Sequence, residues 1–357
     1  MTDADERPSV LIVYSVQNLS KIERHVAPLT EHADVTMVCI ESDEDIDGVD
    51  YVTVPTLGIR PLGLALMFLA ALVEGWRGDY DAVGSFSLLP NGCFALAVGR
   101  LFGLPTHLGI IGVDLDVHAE ARYGPLVRAL IRRFDAVSVP GTAFVERLVA
   151  LGLSRERAAI LVNPIDTATY HPPEERDPGY DFLWIGRFEP EKAPEQFVEA
   201  LAVLADRDRE FAAAMVGDGP LAPAVDERIR ERGLDDRIDR PGWIDDPRAY
   251  YWRSRAFVLT SERDALPLTL VEAMATGLPS VVPPVGNVPD VAEDGETALV
   301  VDPPTPERFA DALDRLLADP VLRERLGANA AGIADRYSSR GAAADWERIL
   351  ATMDAKD

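Results

Sequence analysis

The residues best suited to chemistry lie in loops of the second half of the chain, each of which follows a short apolar run. The first loop, IGRFEPEK, turns at Gly186 and sets Arg187 and Lys192 five residues apart. Two cations at the end of a strand can neutralise a diphosphate and stabilise it as a leaving group. Two solvated surface charges would give the same pattern, so the loop needs support from the rest of the sequence.

A second loop, VGDGP, spans 216–220. Its two glycines would let the backbone approach a planar group or a phosphate closely, although a plain turn has the same composition. The third loop, TSERDALPLTLVEAMATGLP, spans 260–279 and is the most informative. Pro267 suits the first position of a helix and Gly277 the position just past its end, which predicts a helix over 268–276.

The start of this helix carries the remaining candidate groups. Its first amides, at Leu268 and the residues after it, have no partners within a helix and form a ready anion site. Asp264 precedes the helix and Glu272 follows eight residues later. One carboxylate could accept bonds from the hydroxyls of a sugar and the other from both hydroxyls of a ribose. A capping or surface carboxylate is the alternative for Glu272.

Parallel α/β units would bring these loops together, because the carboxyl ends of parallel strands meet at one edge of a sheet. The sequence predicts strands at 10–14, 35–40, 82–86, 106–111, 136–139, 182–185, 211–216, 256–259 and 280–282. It predicts helices at 91–102, 123–134, 194–205, 268–276 and 340–353. This alternation is typical of the α/β class with doubly wound parallel sheets.

The amino-acid composition of the chain changes near residue 163, where the segment NPIDTATYHPPEERDPGY contains four prolines. A chain of 357 residues is long enough for two domains that each bury a core. We therefore predict an N-terminal domain over 1–172 and a C-terminal domain over 173–337, followed by a final helical segment over 338–357.

The net charge is −25, from 60 acidic and 35 basic residues, and only three of the basic residues are lysines. A field of that sign repels nucleic acid and anionic lipid, so nucleic acid is excluded as a partner. The acidic excess is spread along the chain, which suits a halophilic protein with the acidic composition of its proteome. A GC-rich gene would also favour Arg over Lys.

Targeting signals favour the cytoplasm. The N-terminus MTDADERPSV has acidic residues where a secretory signal has basic ones, and no run of 18 apolar residues follows. Cys39 and Cys93 lie in apolar stretches and are expected to be reduced core residues. The apolar segment 62–73 is expected to be a buried helix rather than a surface-lying anchor.

One stretch is basic in this acidic chain. Residues 123–134 combine an apolar face with arginines before and along the helix. A basic amphipathic helix can lie on an anionic membrane, so peripheral contact with the inner face of the membrane is a hypothesis for this segment. A helix packed on the sheet, with its arginines paired to carboxylates, is the alternative.

Several segments together resemble a known family. GRFEPEKAPEQFVEAL, VGDGPL, PGWIDD, SERDALPLTLVEAMATGLP and GNVPDVAEDGETALVV are similar, in this order and spacing, to the retaining nucleotide-sugar glycosyltransferases of family 4. The resemblance is strong over 182–302. In the first half it is carried faintly by GLPTHLGIIGVDLDVH, DAVSVPG and ILVNPID. It implies the GT-B fold, in which two Rossmann-like domains face a cleft and the last helix, around Trp346, packs back on the N-terminal domain.

The resemblance also implies roles. Arg187 and Lys192 would hold the diphosphate, Glu272 the ribose and Asp264 the transferred sugar, while Gly217, Gly242 and Trp243 would lie near the base. The implied donor-binding residues are Gly186, Arg187, Lys192, Gly217, Gly242, Trp243, Asp264, Leu266, Leu268 and Glu272. Transfer would retain the anomeric configuration with no cofactor and no obligatory metal. The acceptor would be a glycan, a lipid-linked molecule or a small molecule.

Departures from the family pattern concern both halves. The family usually has Glu at the position of Asp264. Where a glycine pair is common this chain has Gly286 and Asn287, and Asn tolerates left-handed backbone at modest cost. The Gly-rich loop often found after the first strand is missing.

In the N-terminal half, Ile111 occupies the position of a frequent histidine. Gly112 and Asp114 follow it as acceptor-side candidates. His118 could take over the contact as a catalytic residue, or it could be an ordinary loop histidine.

Two other functions fit the α/β texture. A non-catalytic sugar or nucleotide binding protein with this fold is favoured by the Asp264 substitution. A nicotinamide dehydrogenase would need G-x-G-x-x-G after the first strand, with an acidic residue about 20 positions on, and the chain lacks that arrangement.

The charge imbalance generates a prediction about salt. Because the Debye length falls to about 3 Å at 1 M salt, KCl should screen the self-repulsion of this chain and raise its free energy of unfolding. Urea unfolding at increasing KCl measures the effect. Greatest stability in dilute buffer would contradict the halophilic interpretation.

Overall fold

The computed structural model describes residues 7–15, 20–40, 45–55, 58–111, 115 and 118–354. The chain divides into two compact units. The first unit contains Met1–Pro164 together with Ser339–Asp357, and the second unit contains Ile165–Ser338. Each unit is built on its own parallel sheet, and the prediction of two Rossmann-like α/β domains is confirmed.

The first unit has a seven-stranded parallel sheet in the order β3-β2-β1-β4-β5-β6-β7. The strands are β1 (Ser9–Val13), β2 (Asp34–Ile40), β3 (Val49–Val54), β4 (Ala82–Phe86), β5 (Thr106–Gly109), β6 (Ala136–Val139) and β7 (Ala158–Ile160). The helices are α1 (Ser20–Val26), α2 (Arg60–Arg77), α3 (Cys93–Phe102), α4 (Gly124–Ile131) and α5 (Thr142–Ala150). β1 is an interior strand between β2 and β4, and its apolar run suits a strand covered on both faces.

The second unit has a six-stranded parallel sheet in the order β10-β9-β8-β11-β12-β13. The strands are β8 (Tyr180–Ile185), β9 (Ala213–Val216), β10 (Ile238–Gly242), β11 (Ser254–Val258), β12 (Ser280–Val282) and β13 (Ala298–Val300). The helices are α6 (Pro194–Asp206), α7 (Ala222–Glu231), α8 (Arg248–Trp252), α9 (Leu268–Ala275), α10 (Pro306–Ala318), α11 (Pro320–Ala331) and α12 (Ile333–Arg336). The strand order reverses between β8 and β11, so the loops that follow these two strands lead away in opposite directions. Open parallel sheets bind their ligands at such a switch point.

The proline-rich segment belongs to the second unit from Ile165 onward, whereas the sequence-based division fell after residue 172. Arg176 explains the attachment, because its guanidinium donates to the carbonyl oxygens of Tyr251, Ser254 and Thr276 at 2.8, 3.0 and 2.6 Å. Its pKa is lowered by burial. The segment before β8 is therefore bonded to the same helices and strands that carry the candidate loops.

The last helix, α13 (Ser339–Asp354), packs within the first unit. Trp346 Nε1 donates to the carbonyl oxygen of His25 at 2.6 Å, and the Asp345 carboxylate accepts from the Val162 amide at 3.0 Å. The Trp346 ring also lies 4.8 Å from the ring of His107 and 6.3 Å from that of Phe86. A helix from the end of the chain thus completes the core around β4 and β5.

Helix α2 corrects the expectation of a buried helix at 62–73. It packs one face, formed by Gly63, Met67, Ala71 and Gly75, and leaves leucines and a tryptophan of its other face exposed. A helix that is apolar all round has no polar face to indicate which side meets water, so its sequence could not distinguish the two cases. No helix among the described residues is long and apolar enough to cross a membrane.

The two cysteines differ from the expectation in part. Neither of these two described cysteines forms a disulfide; Cys39 is buried in the core of the first unit and Cys93 is only half-buried. Burial raises the pKa of the Cys39 thiol to about 11, so it stays protonated at neutral pH.

The two buried histidines generate a prediction about pH. Burial lowers the pKa of His25 to about 4 and that of His107 to about 3, so both stay neutral in the folded protein. Below about pH 6.5 the unfolded chain binds protons that the folded chain does not, and stability falls as pH drops. The loss should approach about 1.4 kcal/mol per histidine for each further pH unit.

Urea unfolding of the protein between about pH 7 and pH 5 measures this loss before most carboxylates titrate. An unfolding free energy that stays level over this range would contradict the prediction.

Candidate functional site

The loops after β8, β9 and β10 are joined through their backbones. The Gly186 amide donates to the Val216 carbonyl at 3.1 Å, and the Gly217 amide donates to the Gly242 carbonyl at 2.8 Å. Gly217 has φ +136°, and a β-carbon there would lie 1.9 Å from the Gly186 oxygen. The first glycine of VGDGP is therefore required by the neighbouring loop, and its place near the base of a donor stays a prediction.

Arg187 lies at the exposed end of this group. Its Nη1 is 2.7 Å from Glu189 Oε1, and 58% of the side chain is exposed. Exposed ion pairs of this kind contribute about 0 to 1 kcal/mol, so the guanidinium can exchange Glu189 for another anion at little cost. Arg187 is thus both held near β8 and available to a ligand.

Lys192 and Asp264 form the central contact of the site. Lys192 Nζ donates to Asp264 Oδ2 in an ion pair that joins the loop after β8 to the loop after β11. The side chains are 20% and 14% exposed, so the pair is partly desolvated and stronger than a surface pair. The sequence assigned these residues to different groups of a ligand; the structure brings them together.

Backbone bonds fix both partners of this pair. The amides of Glu262 and Arg263 donate to the Glu191 carbonyl at 2.9 and 3.3 Å. Thr260 Oγ1 lies 3.0 Å from the Lys192 carbonyl oxygen and accepts from Trp184 Nε1 at 2.9 Å. The sequence analysis missed Thr260, whose only signal is a hydroxyl placed at the end of an apolar strand. Lys192 is held by a network that includes both loops.

The loop after β12 supports Asp264 from the other side. Gly286 has φ +53°, and a β-carbon there would lie 1.9 Å from the Asp264 carbonyl oxygen. The Asn287 backbone amide and Nδ2 both donate to the Ala265 carbonyl, at 2.7 and 3.0 Å. Asn287 does not adopt the left-handed backbone that Asn tolerates, because its φ is −100° and the positive φ belongs to Gly286.

Glu272 lies in α9 and is 8% exposed. Tyr251 Oη, from α8, donates to Glu272 Oε2 at 2.8 Å. Burial, and after it the charge of Glu272, raises the pKa of Tyr251 well above its usual value, so the hydroxyl remains a donor. Tyr251 escaped the sequence analysis because it lies 21 residues before Glu272, outside any spacing rule.

The N-terminus of α9 begins at Leu268, as the sequence predicts, and Leu266 lies half-buried just before it. Pro267 gives the helix no side-chain cap. The Leu270 amide bonds to the Pro267 carbonyl at 3.1 Å, which leaves the amides of Leu268 and Thr269 as the ones oriented for an anion.

The remaining candidates lie farther along each sheet. Gly242 ends β10 with φ +80°, and Trp243 is 62% exposed with its Nε1 2.9 Å from Asp245 Oδ1. In the first unit, His118 Nδ1 lies 2.7 Å from Tyr123 Oη. Gly112 and Asp114 lie outside the described residues. Among the acceptor-side candidates, the structure therefore describes His118 alone, which contacts Tyr123.

Known families match both units. The family model described as "Glycosyl transferases group 1" matches residues 168–332, and that described as "Glycosyl transferase 4-like domain" matches residues 22–164. The α-D-kanosaminyltransferase of Streptomyces kanamyceticus is 36% identical over 165 residues, which cover 46% of this chain and 43% of that protein. The match thus spans less than half the length of that relative.

A longer match covers more of both proteins. The D-inositol 3-phosphate glycosyltransferase of Frankia alni is 28% identical over 297 residues, which are 71% of this chain and 70% of that protein.

Solved structures share the fold. A glycosyltransferase from Rickettsia africae superposes with a TM-score of 0.79 at 14% identity and covers 99% of this chain and 100% of its own. Anabaena HepE in complex with UDP superposes with a TM-score of 0.75 at 17% identity, over 97% of this chain and 100% of its own.

The hydrogen bond between Tyr251 and Glu272 generates a prediction about stability. A bond to a buried charged group contributes about 1.5 to 3 kcal/mol, so Tyr251→Phe should lower the free energy of unfolding by that amount. The loss should shrink in a Glu272→Gln background, which a double-mutant cycle by urea unfolding measures. Tyr250→Phe is the matched control, because Tyr250 stacks on Tyr180 instead. Additive losses from both changes would show that the bond contributes nothing.

Proposed function

The chain belongs to the family 4 glycosyltransferases of the GT-B fold, and we propose that it transfers a sugar from a nucleotide-diphosphate-sugar donor to an acceptor hydroxyl. The observation that carries the proposal is the cluster at the carboxyl edge of the second sheet. This cluster contains the ion pair of Lys192 and Asp264, the N-terminus of α9 and the carboxylate of Glu272. Its residues follow β8 and β11, the neighbouring strands at which the strand order reverses. The relatives named above are glycosyltransferases, and UDP is bound in the HepE structure.

The diphosphate is proposed to bind Arg187, Lys192 and the first amides of α9. Arg187 is exposed and weakly paired, so it can turn to the ligand. Lys192 has three donors and could keep Asp264 while it binds a phosphate oxygen. As the bond from the anomeric carbon to the diphosphate breaks, negative charge grows on the leaving oxygen, where fixed cations and amide dipoles are most effective.

The two carboxylates are proposed to bind different parts of the donor. Glu272 would accept from the ribose hydroxyls, and Tyr251 fixes the orientation of its carboxylate. Asp264 would contact the transferred sugar, on which positive charge develops as the leaving group departs. Its bond to Lys192 would place a carboxylate and an ammonium at opposite ends of the breaking bond. The base is proposed to lie near Gly217, Gly242 and Trp243.

The acceptor hydroxyl attacks the anomeric carbon, and its proton leaves to the departing phosphate oxygen or to water. We propose that the anomeric configuration is retained and that no metal is needed, because Arg187, Lys192 and the α9 amides supply the positive charge. The name of the Frankia alni relative, D-inositol 3-phosphate glycosyltransferase, supports a polyol as the acceptor. His118 is the acceptor-side residue proposed to meet that hydroxyl.

A non-catalytic sugar or nucleotide binding protein is the second candidate. The observation that favours it is Asp264, whose carboxylate is one methylene shorter than the Glu usual in the family and is already bonded to Lys192. Such a protein would bind the donor without consuming it.

The experiment first identifies the donor. UDP-, GDP- and ADP-sugars are screened by thermal shift in high salt with EDTA present, since a ligand at 100 times its dissociation constant stabilises by about 2.7 kcal/mol. Transfer or hydrolysis of the best ligand is then measured with and without EDTA. Equal rates support the metal-free proposal, and binding without turnover would favour the second candidate.

Two substitutions separate the proposed roles of the carboxylates. Glu272→Gln should mainly raise the donor KM, because a ribose contact is made equally in substrate and transition state. Asp264→Asn should lower kcat more than it raises KM, by roughly two orders of magnitude, because its charge acts as the bond breaks.

Glu262→Gln is the matched control, because Glu262 is an exposed carboxylate of the same loop. Asp264→Glu, which restores the usual residue, should keep substantial activity. Parent-like kinetics in both neutralised variants would remove the two carboxylates from the site.

A further inference from the structure

Ala193 has a backbone conformation that is uncommon for alanine. Its φ is +45° and its ψ is +54°, in the left-handed region that glycine adopts without steric penalty and that a residue with a β-carbon seldom adopts. Pro194 follows it, and the residue before a proline favours extended backbone instead. Such strain persists only where the surrounding structure imposes it. Because Ala193 directly follows Lys192, the constraint on Ala193 also bears on the candidate site.

The hydroxyl group of Thr260 supplies this constraint. Thr260 is 1% exposed, and its Oγ1 lies 3.0 Å from the carbonyl oxygen of Lys192 and 3.0 Å from that of Ala193. The carbonyl carbons of these two residues are the two ends of the φ torsion of Ala193. A single hydroxyl bonded to both carbonyls therefore fixes that torsion.

Trp184 fixes the orientation of the hydroxyl. Its Nε1 donates to Thr260 Oγ1 at 2.9 Å, and its ring lies in the core, 5.2 Å from the ring of Phe188. An indole N–H can only donate, so Thr260 is the acceptor in this bond and its own proton is directed to the two carbonyls. The bond runs from β8 to the end of β11, and both side chains are buried.

Lys192 is thus held at both of its ends by one loop. Thr260 bonds its backbone, and Asp264, four residues later, accepts from its ammonium group. We propose that Thr260 is a positioning residue, which holds Ala193 in the strained conformation and thereby fixes where Lys192 presents its charge. The inference rests on the proposed binding of the donor diphosphate by Lys192. The alternative role for Thr260 is only to satisfy the buried N–H of Trp184.

The first test removes the hydroxyl. T260V puts a methyl group in its place and should lower kcat by roughly ten- to a hundredfold, the scale of a small misplacement of a catalytic group. KM should rise less, because a cation at the diphosphate acts chiefly on charge that develops in the transition state. T260S keeps the hydroxyl and should stay near the parent. If Thr260 only satisfied Trp184, T260V would lose stability and keep the parent kinetics, which would overturn the proposal.

A second change, A193G, tests whether the effect acts through Ala193. Glycine adopts a positive φ without strain, so A193G should restore most of the kcat that T260V loses. A193G gives Trp184 Nε1 no new acceptor, and the recovery therefore reports on residue 193 alone. A double variant A193G/T260V that is as slow as T260V would overturn the proposal.

Urea unfolding without any donor tests the same coupling independently of the reaction. In T260V the backbone of Ala193 can relax, and the strain released offsets part of the lost hydrogen bonding. Glycine has no such strain to release, so T260V should lower the free energy of unfolding more in the A193G background than in the parent. Equal losses in both backgrounds would contradict the proposal. A parent that transfers no sugar would overturn the proposed function and leave this measurement valid.

Thr297→Val is the matched control. The hydroxyl of Thr297 also links a donor to a carbonyl, since it accepts from the Glu293 amide at 2.9 Å and lies 3.0 Å from the Val291 carbonyl oxygen. Thr297 precedes the edge strand β13 and has no bond to Lys192 or Ala193 among the described contacts of the second unit. T297V should lose stability but keep the kcat and KM of the parent, and circular dichroism checks that every variant is folded.

Discussion

The ion pair of Lys192 and Asp264 is the contact on which the arrangement of the candidate site depends. It joins the loops of two strands that lie side by side in the sheet but 72 residues apart in the chain. Each partner is held in turn by a neighbouring loop, through the Glu191 carbonyl on one side and through Gly286 and Asn287 on the other. The site is therefore a row of mutually bonded loop ends, and the charges are oriented before any ligand arrives.

Local sequence was sufficient where the signal and the structure lie in the same few residues. Pro267 indicated the start of α9, and the bounds of β4, β6 and β12 follow directly from their apolar runs. The prediction missed β3, β7, β10 and β13. The apolar run of β3 is interrupted by Asp50, and β10 contains Arg240 and Pro241. The types of the site residues were predictable, but their pairing was not. Which loops touch depends on the strand order, and no local pattern specifies that Tyr251 meets Glu272.

Two other differences have a shared physical origin. A glycine indicates that something approaches the backbone closely, but it does not indicate what. At Gly217 and Gly286 the approaching group is a carbonyl oxygen of the protein itself. Likewise an apolar helix indicates that water is excluded from some of its surface, and α2 shows that the helix can be covered on one face only. In each case the sequence reports a constraint and the structure identifies the partner.

The place of α13 has a consequence for the order in which the protein can be made. The first unit is discontinuous, because Ser339–Asp357 joins Met1–Pro164 only after the whole second unit has been synthesised. The second unit is continuous and can complete its core while the first still lacks Trp346 over His25 and His107. A growing chain thus carries an unfinished N-terminal half until its last helix is released. A chain that terminated early, after residue 338, would hold a finished second unit beside a permanently open core.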